Sequence, residues 1–220
     1  MLKRMLLGES IVRRHSSRGF LKESIPRSVL ERALALAQHA PSNSNIQPWR
    51  VAIVSGSARD RLSAALLRAA SQGEPHIPPL PEAFRHHRSE LGRALYGGVM
   101  GIPREDVEAR RAAQLRNFDF FGAPTVAIIA MDRRLGPPDS LSVGMWLQIF
   151  LLALADEDVG SCVQVSVAGY PDILKAELGM SNDLDIICGV ALGYPDPDYK
   201  GNSFRAIKEP FETVTKFIDT

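Results

Sequence analysis

Only two cysteines, Cys162 and Cys188, occur in 220 residues, and both fall in apolar stretches. Such a pair argues for buried free thiols and a reducing compartment rather than a disulfide scaffold. Charge of one sign is missing as well. The chain carries 26 basic and 25 acidic side chains, a net +1, so it lacks the broad field of a general nucleic-acid binder. No Walker-type phosphate loop is present, no G-x-G-x-x-G sits between a strand and a helix, and no G-x-S-x-G elbow occurs. The five histidines, His15, His39, His76, His86 and His87, have no cysteine or carboxylate at metal-ligand spacing. The adjacent His86–His87 pair reads as solvated. A hydrolase or metalloenzyme is disfavoured, and no metal is expected. The apolar run near the start spans three residues, Met5 to Leu7, too short for a secretory leader or a membrane span. Cytoplasm is the expected location, with no nucleic acid or membrane as partner.

What is present is 45% hydrophobic residues, enough for one well-buried core. Periodicity predicts a helix over Pro26 to Ala40, with Ser24 as a cap and Val29, Leu30, Ala33, Leu34 and Ala37 on one face. A strand is expected over Trp49 to Val54, then a helix opened by Ser57 and Asp60 as a capping box. Four prolines make Gln72 to Pro81 a loop. Polar helices around Glu82 to Leu95 and Glu105 to Phe118 follow, separated by a break from Gly97–Gly98 to Pro103. Strands are expected at Pro124 to Met131, Ser161 to Val167 and Asp185 to Leu192, with a helix at Pro171 to Leu178. The stretch Leu141 to Ala155 has almost no polar face, so as a helix it must be buried on every side, in a core or against another subunit. It reads as too short and interrupted to cross a bilayer. The tail from Lys208 to Ile218 suits an edge strand or a wrap onto a neighbour. Helices and strands alternate irregularly, which predicts a layered α+β fold, a single domain over 1–220.

Four polar clusters lack an obvious structural purpose. Arg14, His15, Ser16 and Arg18 can offer forked donors and a hydroxyl to one anion; a solvated basic patch is the plainer reading on composition alone. Pro41, Ser42, Asn43 and Asn45, within Ala40 to Trp49, form a stiff loop of amides and hydroxyls suited to the edge of a planar polar ring, or an ordinary connection. Gln164 and Ser166, flanking Val165, fall on one side of an otherwise apolar strand, where they either need buried partners or face water. Asn202 to Lys208, with Arg205, reads by itself as a surface loop.

Taken in order, these residues resemble the nitroreductase family of flavoproteins. Its R-x-S-x-R pattern is matched by Arg14, Ser16 and Arg18, followed by the aromatic Phe20. Its A-P-S-x-x-N-x-Q-P-W element is matched by Ala40, Pro41, Ser42, Asn45, Gln47, Pro48 and Trp49. An aromatic stretch ending in A-P is seen at Phe118 to Pro124. Gly160 to Gln164, Tyr170 to Asp172, Gly189 to Tyr194, and Asn202 with Arg205 are similar to the branch containing nitrobenzoate-type reductases. The resemblance runs from about residue 10 onward, with about 75–104 as a variable lid.

The resemblance implies an intertwined homodimer holding two FMN molecules, each touched by both chains, with NADH or NADPH as electron donor. The implied acceptor is a small nitroaromatic or quinone-like molecule. Arg14, Ser16, Arg18 and Lys208 would hold the phosphate, His15 adding backbone contacts. Pro41, Ser42, Asn43 and Asn45 would reach the ring from the partner chain, and Gln164, Val165 and Ser166 would run along it. No general acid or nucleophile is named, because the cofactor carries the hydride chemistry. The family usually has an arginine where this chain has Lys208; lysine keeps the charge but not the fork, and Arg205 is placed to compensate. Reductive dehalogenation, ring dehydrogenation and a non-catalytic FMN-binding module share every motif above.

Overall fold

The computed structural model describes residues 6–219, so the basic start and Met5 lie outside the described residues. Helix α1 (Leu7–Arg13) leads into an extended arm, and α2 (Arg27–Ala37) follows. Pro26 rather than Ser24 stands at the α2 N-cap, and no side chain caps it. Val29, Leu30, Ala33 and Ala37 are buried as one face, at the i, i+1, i+4, i+8 spacing expected of an amphipathic helix. Strand β1 (Arg50–Ser55) runs straight into α3 (Gly56–Gln72). That helix starts one residue before Ser57, its N-cap is Ser55, and no capping box forms.

The proline-rich loop then crosses the surface and is pinned where His76 N–H donates to the Gly169 carbonyl at 3.0 Å. Gly169 has to be glycine here, because a Cβ would stand 2.5 Å from Pro75 Cβ. Helix α4 (Arg85–Gly92) continues as a π-helical stretch over Arg93–Val99, so Gly97–Gly98 do not break it. The break comes at Gly101, in the left-handed region at φ 67° that glycine adopts without strain. Helix α5 (Val107–Leu115) is capped by Asp106, whose Oδ1 accepts from Ala109 N–H at 2.9 Å.

Strand β2 (Thr125–Asp132), helix α6 (Pro137–Asp156), strand β3 (Gly160–Gln164), helix α7 (Pro171–Leu178), strand β4 (Leu184–Gly193) and the short helix α8 (Phe211–Val214) complete the chain. The strands form one antiparallel sheet in the order β1-β2-β4-β3, with a register shift between Ile129 and Ala130. Strand β2 is central and apolar on both sides. Ala127, Ile129 and Met131 pack with α2 and α6 on one face. Val126 and Ile128 pack with α3, α7 and the aromatic turn Phe118–Phe121 on the other. The result is the expected layered α+β arrangement, with helices on both faces of an antiparallel sheet.

Helix α6 departs from expectation in two ways. It has 20 residues and is long and apolar enough to cross a membrane by length and composition, so shortness is no argument against that. Its burial is also one-sided: Val143, Trp146, Phe150 and Leu154 are sealed against α2 and the sheet, Trp146 stacking on Trp49 at 6.1 Å. The opposite stripe, Leu141, Met145, Gln148 and Leu152, faces outward, with Leu141 66% exposed. The tail forms no edge strand. It leaves the body with Phe211, Val214, Phe217 and Ile218 exposed.

Candidate functional site

The arm after α1 lies along the outer strand of the sheet. Ser16 bridges to Ser161 of β3 in parallel, and Ser17 N–H donates to the Ser161 carbonyl at 2.9 Å. Phe20 bridges to Pro195 on the far side. Arg14, His15, Ser16 and Arg18 are all half-buried there, gathered within five residues. Arg18 Nη1 donates to the Ser16 carbonyl at 3.1 Å, and Arg205 Nη1 donates to the Asn202 carbonyl at 2.7 Å. None of Arg14, Arg18 and Arg205 forms an ion pair among the described residues, whereas Arg13 next door is paired with Asp158. Three guanidinium groups without a carboxylate partner among the described residues suit an anion with several oxygens.

Burial lowers the basicity of His15 below its ordinary 6.5. Its bond to the Arg13 carbonyl opposes that, and the nearby Arg205 and Arg14 charges lower it further. Arg205 reaches the arm's surroundings through Asn202, whose carbonyl it bonds and whose side chain accepts from Arg18 N–H. His15 Nδ1 lies 2.9 Å from the Arg13 carbonyl, so this nitrogen carries the proton of the neutral ring. Lys208 stands exposed in the tail and forms no hydrogen bond or ion pair with the arm among the described residues.

Gln164 and Ser166 do not share a strand face. Strand β3 ends at Gln164, and Val165–Gly169 turns as a 3-10 helix. Gln164 is 3% exposed and donates from Nε2 to the Asn117 carbonyl at 2.6 Å, while its Oε1 is buried without a partner among the described residues. Val165, at 59% exposure, and the half-buried Ser166 follow on the open rim of the sheet. The period-two argument failed because the strand stops three residues before the end of the apolar run, at Gln164 rather than Val167.

The Pro41–Asn45 loop lies elsewhere. Ser44, Asn45 and Gln47 all have left-handed backbone, with φ of 48°, 57° and 47°. Residues with a Cβ hold this conformation only where the surroundings enforce it. Here Ser42 Oγ accepts from Gln47 N–H at 3.1 Å, Asn43 N–H donates to Ser142 Oγ at 3.2 Å, and Asn43 Nδ2 donates to Asp139 Oδ1 at 3.4 Å. The loop is thus fastened to the N-terminal turns of α6, with Pro41, Asn43 and Asn45 exposed and Ser42 half-buried. The arm belongs to the other end of the same helix, where Arg14 and Ser17 line a small cavity with Ala155 and Val159. From Ser142 to Ala155 is about 20 Å along the axis at 1.5 Å per residue. One chain therefore brings together the arm, Arg205 and the β3 rim, and keeps the loop apart from them.

Several residues around the arm were not read as part of a site. Asn202, quoted above only within a motif, accepts at Oδ1 from Arg18 N–H (2.7 Å) and Gly19 N–H (3.2 Å). From Nδ2 it donates to the carbonyls of Gly19 and Asp196, both at 2.8 Å. Arg116 donates to the carbonyls of Arg18 (2.9 Å) and Phe121 (3.3 Å), bonds the Tyr199 hydroxyl and lies 4.5 Å over the Tyr199 ring. Tyr96, from the π-helical stretch, faces the same group; burial raises its pKa, which Arg18 counters. Cys162 is buried beside Arg18, Ser16 and Arg14, and burial raises its pKa. Cys188 is pushed up to about 12 by burial. Neither thiol is poised as a nucleophile.

The sequence profile of the nitroreductase family matches residues 11–194. Nitrobenzene nitroreductase of Ectopseudomonas oleovorans is 34% identical over 217 residues, covering 93% of this chain and 93% of its own. The 4-nitrobenzoate reductase of Pseudomonas putida is 32% identical, covering 94% and 93%. Among solved structures, the FMN- and NADPH-dependent nitroreductase NfnB from Sphingopyxis superposes with a TM-score of 0.93 at 30% identity, over 98% of this chain and 100% of that one.

Proposed function

The chain belongs to the nitroreductase family, and on that premise we propose that it is a cytoplasmic, homodimeric, FMN-dependent oxidoreductase. It takes electrons from NADH or NADPH and passes them to nitroaromatic or quinone-like acceptors. The nitroreductase relatives and the FMN- and NADPH-dependent NfnB support this chemistry.

The fit of the cofactor rests on the arm. Arg14, Ser16 and Arg18, with Arg205 beside them, supply charge and forked donors for a terminal phosphate, and none of the three arginines is ion-paired among the described residues. Lys208 adds charge from the tail. Gln164, Val165 and Ser166 border the ring on the open rim, the orphaned Gln164 Oε1 supplying a buried acceptor. When bound, FMN accepts and donates hydride. The protein's part is to hold the phosphate, orient the ring and shield one face of it. The segment at about 75–104 serves as the lid of the single domain.

The carrying observation is the 20 Å between arm and loop. A second copy related by a two-fold axis brings the partner's Pro41–Asn45 loop to this chain's rim and covers the outward stripe of α6 at the same time. The exposed tail then wraps onto that copy. A purified sample tests the reading through its absorbance spectrum. It should be yellow, release FMN rather than FAD on denaturation, bleach with NADPH or NADH, and recover colour on addition of a nitroaromatic. Protein that stays colourless after FMN is added overturns the assignment. Bound flavin that no nicotinamide reduces makes it a binding module instead, and recovery only with a halogenated aromatic points to dehalogenation.

A further inference from the structure

We propose that Arg116 is a positioning residue for the phosphate arm, acting through the backbone of Arg18 with Tyr199 and Asn202 as its supports. This rests on the reading of the arm as the phosphate site. Arg116 follows α5 directly, 98 residues from the arm, yet its guanidinium gathers three segments of chain. It holds the Arg18 carbonyl, the Phe121 carbonyl of the aromatic turn, and the Tyr199 hydroxyl. No carboxylate pairs with it among the described residues, so its charge is satisfied by carbonyl dipoles and by the faces of Tyr199 and Phe121.

The Tyr199 ring has no room to move. A Cβ on Gly19 would stand 2.3 Å from it and a Cβ on Gly201 would stand 2.5 Å from it. The ring is wedged between two glycines with the guanidinium above. Asn202 then uses all four of its amide hydrogen bonds on the backbone of residues 18, 19 and 196. Every peptide group around Arg18 is thus fixed from outside the arm, while the Arg18 side chain spends one bond among the described residues, on Ser16. A fixed backbone with a guanidinium not paired to a carboxylate among the described residues is the geometry of a preorganised anion clamp. A fork and a stacked plane are both required, which lysine cannot supply.

Riboflavin, which is FMN without the phosphate, separates this role from a merely structural one. Affinities of the apoprotein for FMN and for riboflavin would be measured by fluorescence quenching in the unmutated chain and in Arg116→Met, Arg116→Lys, Arg18→Ala and Arg18→Ala/Arg116→Met. Arg116→Met should weaken FMN roughly tenfold or more, the scale of one bond to a charged group, and leave riboflavin unchanged. Arg116→Lys should fail to rescue. The double variant should lose no more FMN preference than Arg18→Ala alone, because both act through one side chain. Equal weakening of FMN and riboflavin makes Arg116 structural, full rescue by lysine makes it only a distant charge, and additive losses place it on the phosphate directly; each overturns the proposal. Should the unmutated chain itself bind riboflavin as well as FMN, the phosphate-site reading fails first.

Discussion

The two ends of helix α6 are built on opposite principles. At the C-terminal end the arm is closed within its own chain, every peptide near Arg18 being held by Asn202, Arg116 or Ser161. At the N-terminal end the Pro41–Asn45 loop is held by Asp139 and Ser142 at its base, while Ser44 and Asn45 stand exposed on left-handed backbone. On the proposed reading, one end is a finished half-site and the other takes its complement from a second copy. Strain at an exposed loop contributes nothing to folding, so its persistence marks a surface shaped for contact.

The strongest way to break the comparison is to charge the outward stripe. Leu141→Glu with Leu152→Glu should leave the core intact, since both lie on the stripe turned away from Trp146. Each leucine buried between chains contributes about 1.5–3 kcal/mol, counted twice in a symmetric pair. Sedimentation should find monomer at micromolar concentration with FMN largely lost; a flavin-saturated monomer would show that one chain suffices. Leu147→Asp is a poorer test, because Leu147 also packs against the core. Next in size, Arg18→Ala should weaken FMN by roughly 1.5–3 kcal/mol without loss of fold. Undiminished flavin occupancy on dilution would return the arm to a solvated patch.

A mixing experiment sharpens the contrast at about twofold. Arg18→Ala and Asn45→Ala homodimers should each be impaired. Mixed dimers should regain one intact site, made of an unmutated arm and its partner's unmutated loop. No recovery after subunit exchange would mean that arm and loop serve separate sites. The smallest effect is in pH. The folded-state pKa of His15 lies below its ordinary 6.5, so stability is full above that value. It falls as the pH drops toward the folded value, because only the unfolded chain takes the proton there. Thermal melts of the apoprotein should show this loss, and His15→Gln should flatten it.

Much of the fold was legible because its signals are local. Pro124 to Met131 reads as buried, and β2 is buried over that run. The Val29–Ala37 face reads as helical, and it packs as such. Errors arose where tertiary contacts override local pattern. The π-helical turn carries through Gly97–Gly98, and β3 stops at Gln164 although Val165 and Val167 continue the apolar run. The Arg14–Arg18 cluster was visible as motif, and the fold brings Arg205 near it through Asn202. Arg116 and Tyr199 were not, since no spacing rule links residues so far apart.

The bond from Arg18 N–H to Asn202 spans 184 positions of sequence. During synthesis at about 5–20 residues per second, the arm therefore waits roughly ten to forty seconds for its clamp. A nascent chain displays Arg14 and Arg18 long before it can close a hand around phosphate. On the proposed reading, flavin capture through the arm awaits residue 202, by which point the residues of all four strands have been synthesised.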